Sequence, residues 1–234
     1  MGPEFGLFSS KISLHHEQVT RLLNDGRITL PPQLTKATEA RKIEYIVGRL
    51  CALKAIENLS HQASPLHFLQ FLLKALHLIG SQSQGCPNWP KGIVGSITHD
   101  GDLVTAIVAR ETDVLGIGID MTSLNYRKLW SKVKPKIITG DDLASNGQVD
   151  LSQVAIVFSA KESIFKCFYP LTKRIFGFED AAISAIDDSR GTFFYCLKCT
   201  LDQRFQYGYQ GEGSFRVEKG KIYTKVFLPQ PMPS

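Results

Sequence analysis

Val114-Leu115-Gly116-Ile117-Gly118-Ile119-Asp120 is the stretch on which the reading of this chain turns. Side chains alternate along a strand, so Leu115, Ile117 and Ile119 point one way while Gly116, Gly118 and Asp120 point the other. One face is apolar; the other is bare until it ends in a carboxylate. Glycine inside a strand marks a bulge or the close approach of a ligand or backbone. Asp120 therefore has two readings: a metal ligand at the end of a cleared strip, or a strand-terminal Asp that caps the next turn.

Working outward, residues 93–98 and 103–109 are short, rich in β-branched residues and separated by Asp/Gly turns, which predicts two strands before the glycine strand. Further upstream, Ile43, Ile46, Val47, Leu50, Leu53 and Ile56 recur at helical spacing and predict a helix over 35–59. A second helix is predicted over 64–79, stopped by Gly80 and the polar Ser81-Gln82-Ser83-Gln84-Gly85. Downstream, 125–150 reads as a mobile or partly helical insertion carrying Arg127, Lys128, Lys132, Lys134 and Lys136 around Pro135. Val154, Val157, Phe158, Phe165 and Phe168 predict a helix over 151–168. Strands are predicted over 181–186, 192–201 and 214–228, the last a hairpin turning at Lys219-Gly220. Helices followed by strands, twice over, predict an α+β fold of two similar halves, 7–115 and 116–230. Met1-Gly2-Pro3-Glu4-Phe5 reads as an expression scar, and residues 1–6 are set aside.

The chain has 234 residues, 43% hydrophobic and 21% charged, which excludes disordered, collagen-like and disulfide-framework classes. Twenty-seven Lys and Arg against 22 Asp and Glu give a charge of +5. That excess suits an anionic ligand or an acidic partner and is too weak to argue for nucleic acid. Five irregularly spaced cysteines suit a reducing compartment, and a cytoplasmic location is expected. Cys196 and Cys199 would fall on opposite strand faces, which predicts no metal there. The most apolar stretch, 66–79, is broken by His67, Gln70, Lys74 and His77 and falls short of the ~20 residues a membrane span needs.

Several charged residues sit on predicted apolar faces. Glu162 follows Phe158 by four residues and precedes Phe165 by three, with Lys166 at i+4 and Lys161 beside it, a compact charged cluster or an ordinary ion pair at the core edge. Arg49 borders the face made by Ile46 and Leu53, with Arg41, Lys42 and Lys54 extending a basic region, either an anion site or a solvated face whose long stems cover the core. Gly95-Ser96-Ile97-Thr98-His99-Asp100-Gly101 offers hydroxyls, an imidazole and backbone N–H groups of the kind that suit phosphate oxygens. It matches neither the Walker A nor the dinucleotide-binding glycine pattern.

Taken in order, these segments resemble the phosphopantetheinyl transferase superfamily, in the branch of enterobactin-synthase component D and the mycobacterial type II enzymes. The resemblance rests on Gly48-Arg49-Leu50-Cys51-Ala52, on 87–99 ending Gly95-Ser96-Ile97-Thr98-His99, and on Gly116-Ile117-Gly118-Ile119-Asp120. Its most specific part is Phe158-Ser159-Ala160-Lys161-Glu162-Ser163-Ile164-Phe165-Lys166, continued by Tyr169-Pro170-Leu171-Thr172-Lys173 and Phe176-Gly177-Phe178-Glu179-Asp180. The resemblance implies two α+β halves with coenzyme A in the cleft between them and Mg²⁺ on its pyrophosphate. It implies transfer of the phosphopantetheine arm to a serine of an acyl or peptidyl carrier protein, with release of adenosine 3′,5′-bisphosphate. Asp120 and Glu162 are then the expected metal ligands, and Glu162 and Lys166 the catalytic pair. Ser96, Thr98, His99, Arg49, Lys54, Lys161 and Lys166 are expected on the coenzyme A phosphates. The family usually has Asp-x-Glu after the glycines; here Thr122 replaces the second acid. A monomer is expected. The alternatives are a Mg²⁺-dependent phosphoesterase acting on coenzyme A and a non-catalytic coenzyme A or carrier-protein binding module.

Overall fold

A computed structural model describes residues 2–61, 68–81, 85–143 and 149–231. Two compact units emerge: one holds the described residues up to Leu115 together with those from Pro229 on, the other Gly116–Leu228.

In the first unit a three-stranded antiparallel sheet, ordered β1-β5-β4, is built from β1 (Phe5–Lys11), β4 (Ile93–Asp100) and β5 (Leu103–Arg110). Around it lie α1 (His16–Asn24), α2 (Glu39–Ser60), α3 (Phe68–Leu78) and a two-stranded ribbon of β2 (Gly80–Ser81) and β3 (Pro87–Asn88). Thr38 starts α2 by accepting the Arg41 N–H on its side chain, and His61 ends it in the left-handed region at φ 53°. Ile43, Ile46, Val47, Leu50 and Leu53 of α2 share one core with Val104, Ala106 and Val108 of β5. Two of the residues set aside from the sequence belong to this sheet: Phe5 and Gly6 pair with Ala109 and Val108. A Cβ on Gly6 would lie 2.1 Å from the Ala55 carbonyl oxygen, so glycine there lets β1 lie directly on α2. The expected strand 93–98 runs on to Asp100. Of the predicted helix 64–79, the part before Phe68 lies outside the described residues, as does Gln84.

The second unit carries a five-stranded sheet, ordered β6-β10-β9-β8-β7. Its strands are β6 (Val114–Ser123), β7 (Ala181–Asp187), β8 (Thr192–Leu197), β9 (Gln210–Glu218) and β10 (Lys221–Pro229), with α4 (Arg127–Ile137) and α5 (Leu151–Thr172) between β6 and β7. The insertion expected at 125–150 is therefore an ordered helix over its first half. A capping box starts α5: Asp150 accepts the Ser152 and Gln153 N–H groups while the Gln153 side chain accepts the Asp150 N–H. The helix runs through Pro170 and stops at Lys173, in the left-handed region at φ 54°, four residues beyond the predicted end.

Both units follow one plan that the sequence does not show as a repeat. In each, a strand leads into a 22-residue helix and then pairs with the last strand of its own sheet, β1 with β5 and β6 with β10. In each, glycine on that first strand admits the helix. A Cβ on Gly118 would fall 2.0 Å from the Ser163 carbonyl oxygen, and one on Gly116 would fall 3.0 Å from that of Cys167. The bare strip before Asp120 is thus filled by the backbone of α5.

Candidate active site

Because Gly116 and Gly118 bring α5 onto β6, the carboxylate that follows them meets the helix directly. Asp120 is 7% exposed. Its Oδ1 accepts from Lys166 Nζ at 2.7 Å and its Oδ2 from Ser159 Oγ at 2.9 Å. Ser159, Glu162, Ser163 and Lys166 are spaced three or four apart, so they form one stripe of α5. Behind Ser159, Thr224 of β10 lies 2.9 Å from Ser159 Oγ and 2.6 Å from Ser163 Oγ, and donates to the Ser159 carbonyl at 2.8 Å.

Glu162 is half-buried on this stripe. Burial pushes its carboxyl above the usual carboxylate range; the Lys166 charge pulls it back and the Asp120 charge pushes it further up. Two carboxylates that repel each other, with one ammonium bonded to Asp120, form a centre that a divalent cation would stabilise. The donors are all oxygen, as a hard ion such as Mg²⁺ requires. Thr122, two residues beyond Asp120 and on the same face of β6, is 5% exposed and adds only a hydroxyl. Among the described residues no three His, Cys, Asp or Glu side chains gather as a metal-binding group.

Lys161 does not belong to this centre. It projects from another side of α5 and is 3% exposed. Its ammonium donates to Asp142 Oδ2 at 2.6 Å and to the Ile137 and Phe178 carbonyls at 2.9 and 2.8 Å. Three donors with three acceptors leave none for phosphate. The expected cluster of Lys161, Glu162 and Lys166 is therefore two sites: adjacent positions on a helix differ by about 100° and face different neighbours.

The first unit collects a separate basic group. Arg41 Nη1 lies 3.1 Å from His99 Nε2 and donates to Glu44 Oε2 at 3.0 Å. Arg49 is 5% exposed, with its guanidinium 4.0 Å from the Tyr45 ring centroid. It gives Nε to the Ile79 carbonyl at 3.1 Å and Nη2 to the Gly80 carbonyl at 3.4 Å, which satisfies the link from α3 into β2. Burial lowers its pKa, and the nearby Arg41 charge lowers it further. Lys54 stands apart, paired with Glu57 at 2.8 Å over the Phe71 ring. Ser96 and Thr98 are buried in β4 and only His99 is exposed. The predicted phosphate loop at 95–101 is a strand in continuous register with β5 up to Asp100, so part of its backbone N–H supply is used within the sheet.

Three participants were not assigned from the sequence: Arg41 beside His99, and Ser159 and Thr224 behind Asp120. Arg41 and Ser159 carried a signal, since Arg41 lies eight residues before Arg49 and Ser159 seven before Lys166, each about two helical turns. Thr224 carried none, because its place depends on how β10 pairs.

Comparison with known proteins accounts for both units. A 4′-phosphopantetheinyl transferase N-terminal domain model matches residues 30–109, and a 4′-phosphopantetheinyl transferase superfamily model matches 116–218. The 4′-phosphopantetheinyl transferase PptT of Mycobacterium tuberculosis is 30% identical over 204 residues, covering 84% of this chain and 83% of its own. The 4′-phosphopantetheinyl transferase Svp of Streptomyces mobaraensis is 33% identical over 214 residues, 85% and 76% of the two chains. Enterobactin synthase component D of Salmonella typhi is 28% identical over 159 residues, 66% and 59%. Matches of this extent across both units show that the chain belongs to the 4′-phosphopantetheinyl transferase superfamily.

Proposed function

We propose that this protein moves the 4′-phosphopantetheine arm of coenzyme A onto a serine hydroxyl of an acyl or peptidyl carrier protein and releases adenosine 3′,5′-bisphosphate. Beyond family membership, the observation that supports the reading is the Asp120–Lys166–Glu162 centre, two coupled carboxylates with a lysine on one of them. Asp120 and Glu162 would hold Mg²⁺, which when bound neutralises charge on the pyrophosphate during displacement. Lys166 donates to the same phosphates as the bisphosphate departs. The carrier serine oxygen forms its bond to the β-phosphorus of coenzyme A while the bond from that phosphorus to the bridging oxygen breaks. Glu162 is the group assigned to accept the serine proton. Arg41, His99 and the edge of Arg49 are the donors assigned to the remaining phosphate of coenzyme A.

The carrier is assigned to α4. Arg127, Lys128, Lys132 and Lys136 are exposed there, and the helix contains no acidic residue. Cations in its first turn oppose the helix dipole, a cost that an acidic partner would remove. Tyr126 and Leu129, 42% and 47% exposed, add apolar contact on the same element.

Intact-mass analysis of an apo carrier protein incubated with this chain, coenzyme A and Mg²⁺ tests the reading. One added phosphopantetheine arm is expected. Bisphosphate release with an unmodified carrier would instead make the chain a phosphoesterase, and binding with neither product a non-catalytic module.

A further inference from the structure

Three buried hydroxyls converge behind Asp120 with no ligand-facing role of their own. Ser159 and Ser163 are fully buried and Thr224 is 2% exposed. Ser159 Oγ donates to Asp120 Oδ2, Thr224 Oγ1 lies within hydrogen-bond distance of both serine hydroxyls, and it also donates to the Ser159 carbonyl. These contacts tie β6, α5 and β10 at one point. An aspartate turns readily about its terminal torsion, and one oxygen held from behind fixes where the other points. Lys166 marks that other oxygen, Oδ1.

We propose that Ser159 and Thr224 are positioning residues for the transfer. Ser159 holds Asp120 Oδ2 directly and Thr224 anchors Ser159 through its carbonyl, so that Oδ1 is presented to the side where Lys166 and Glu162 lie. This rests on the reading of Asp120 and Glu162 as the Mg²⁺ ligands. Serine and threonine often sit inside proteins only to satisfy local backbone, as a helical serine does by donating to the carbonyl four residues before it. Here the carbonyl four residues before Ser163, that of Ser159, accepts from Thr224 on another strand. Ser159 itself gives its proton to the Asp120 carboxylate and not to the backbone four residues before it. Partners of this kind, one bond behind a metal-binding carboxylate, typically change metal affinity or activity by roughly ten- to a hundredfold when removed.

The test compares the full chain with Ser159→Ala, Thr224→Val and Thr224→Ser. Mg²⁺ affinity is measured by calorimetry in the presence of coenzyme A, transfer kinetics with an apo carrier protein, and thermal melting in parallel. Ser159→Ala and Thr224→Val are expected to weaken Mg²⁺ binding and lower kcat by roughly ten- to a hundredfold, with the KM for coenzyme A little changed. Thr224→Ser, which keeps the hydroxyl, is expected to restore both. Alanine suits a helix interior, so Ser159→Ala carries the measurement if Thr224→Val does not fold. Wild-type Mg²⁺ affinity and kcat in Ser159→Ala, whatever its melting temperature, would make the hydroxyls merely structural and overturn the proposal. So would failure of Thr224→Ser to restore activity lost in Thr224→Val. A wild-type protein that binds Mg²⁺ but leaves the carrier unmodified would instead overturn the functional reading, and one that modifies the carrier without measurable Mg²⁺ affinity would overturn the metal assignment.

Discussion

Lys166 and Asp120 are bonded at 2.7 Å, from Nζ to Oδ1, across the junction of a helix and a strand that two glycines bring into contact. The pair is only partly enclosed, with 27% of the lysine side chain exposed against 9% of the aspartate. Lys166 can therefore reach both a carboxylate and an arriving phosphate. Without a ligand its charge offsets the repulsion between Asp120 and Glu162.

Lys166→Met should therefore leave the fold intact and cut kcat by roughly a hundred- to a thousandfold, the range for removing one donor aimed at transition-state charge. The KM for the carrier protein should hardly move. Single-turnover transfer with saturating coenzyme A, beside circular dichroism, gives both readings. Near-normal kcat would show that Lys166 only balances Asp120.

Glu162 ties stability to pH in a definite direction. Its folded pKa is raised above the unfolded one, so the folded state holds a proton that the unfolded state releases. The stability this provides is complete below the ordinary glutamate range and is lost as pH rises through the raised value. Glu162→Gln cannot ionise and escapes that loss. Metal-free Glu162→Gln should melt higher than wild type near pH 8 and at the same temperature near pH 4, while transferring nothing. Mg²⁺ should raise the wild-type melting temperature more than that of the variant. Equal melting curves at pH 8 would mean that Glu162 is well solvated.

Lys161 and Asp142 predict a different outcome from the neighbouring position. Asp142 also accepts from the Ile183 N–H at 2.7 Å and from the Thr139 N–H and hydroxyl at 2.7 and 2.9 Å, so the pair joins α5, β7 and the segment after α4. Burial lowers the Lys161 pKa, and Asp142 opposes that shift. Lys161→Met strands a buried carboxylate and should cost about 3–5 kcal/mol of stability. Denaturant unfolding measures this. A variant of native stability that had lost only coenzyme A affinity would return Lys161 to the phosphate site.

Arg41 should be read through the substrate's own phosphates. Arg41→Ala should raise the KM for coenzyme A by roughly tenfold, as for a charge-assisted hydrogen bond, and have little effect with 3′-dephospho-coenzyme A. Arg49→Ala should in addition lower the melting temperature, because two carbonyls between α3 and β2, those of Ile79 and Gly80, lose this donor. Equal KM penalties for Arg41→Ala with both substrates would remove it from the 3′-phosphate.

How far the sequence reached is visible in the same residues. The helical periods that predict α2 and α5 are local, as is the strand alternation around Asp120, so each element was found within a few residues of its ends. The apolar period behind α5 ends at Phe168, whereas the helix carries Pro170 in its last turn and runs to Thr172. Gly118 was legible as a close approach, but what approached depended on α5, more than forty residues away. Lys161 and Lys166 look alike in sequence; five positions on a helix separate their faces by about 140°, and only the surrounding elements show that one meets Asp142 and the other Asp120. The pairing of Phe5 and Gly6 with β5 depends on residues about a hundred positions away, so no local pattern carries it.

The carrier surface gives the last prediction. Lys134, unlike its neighbours, donates to the Val149 carbonyl and is half-buried, so it belongs to the scaffold of α4. Arg127, Lys128 and Lys132 are exposed, and no acid on the helix partners them. If an acidic carrier docks here, association should slow as salt rises, because exposed charges separated by more than about 8 Å are largely screened at physiological ionic strength. Reversing Arg127 and Lys128 to Glu should raise the carrier KM and flatten its salt dependence, while leaving the KM for coenzyme A and the melting temperature near wild type. Lys134→Glu should behave differently, lowering the melting temperature through loss of its carbonyl contact. Transfer rates for both variants across a salt series separate the two effects. An unchanged carrier KM in the Arg127/Lys128 variant, at low salt as well as high, would place carrier docking elsewhere on the chain.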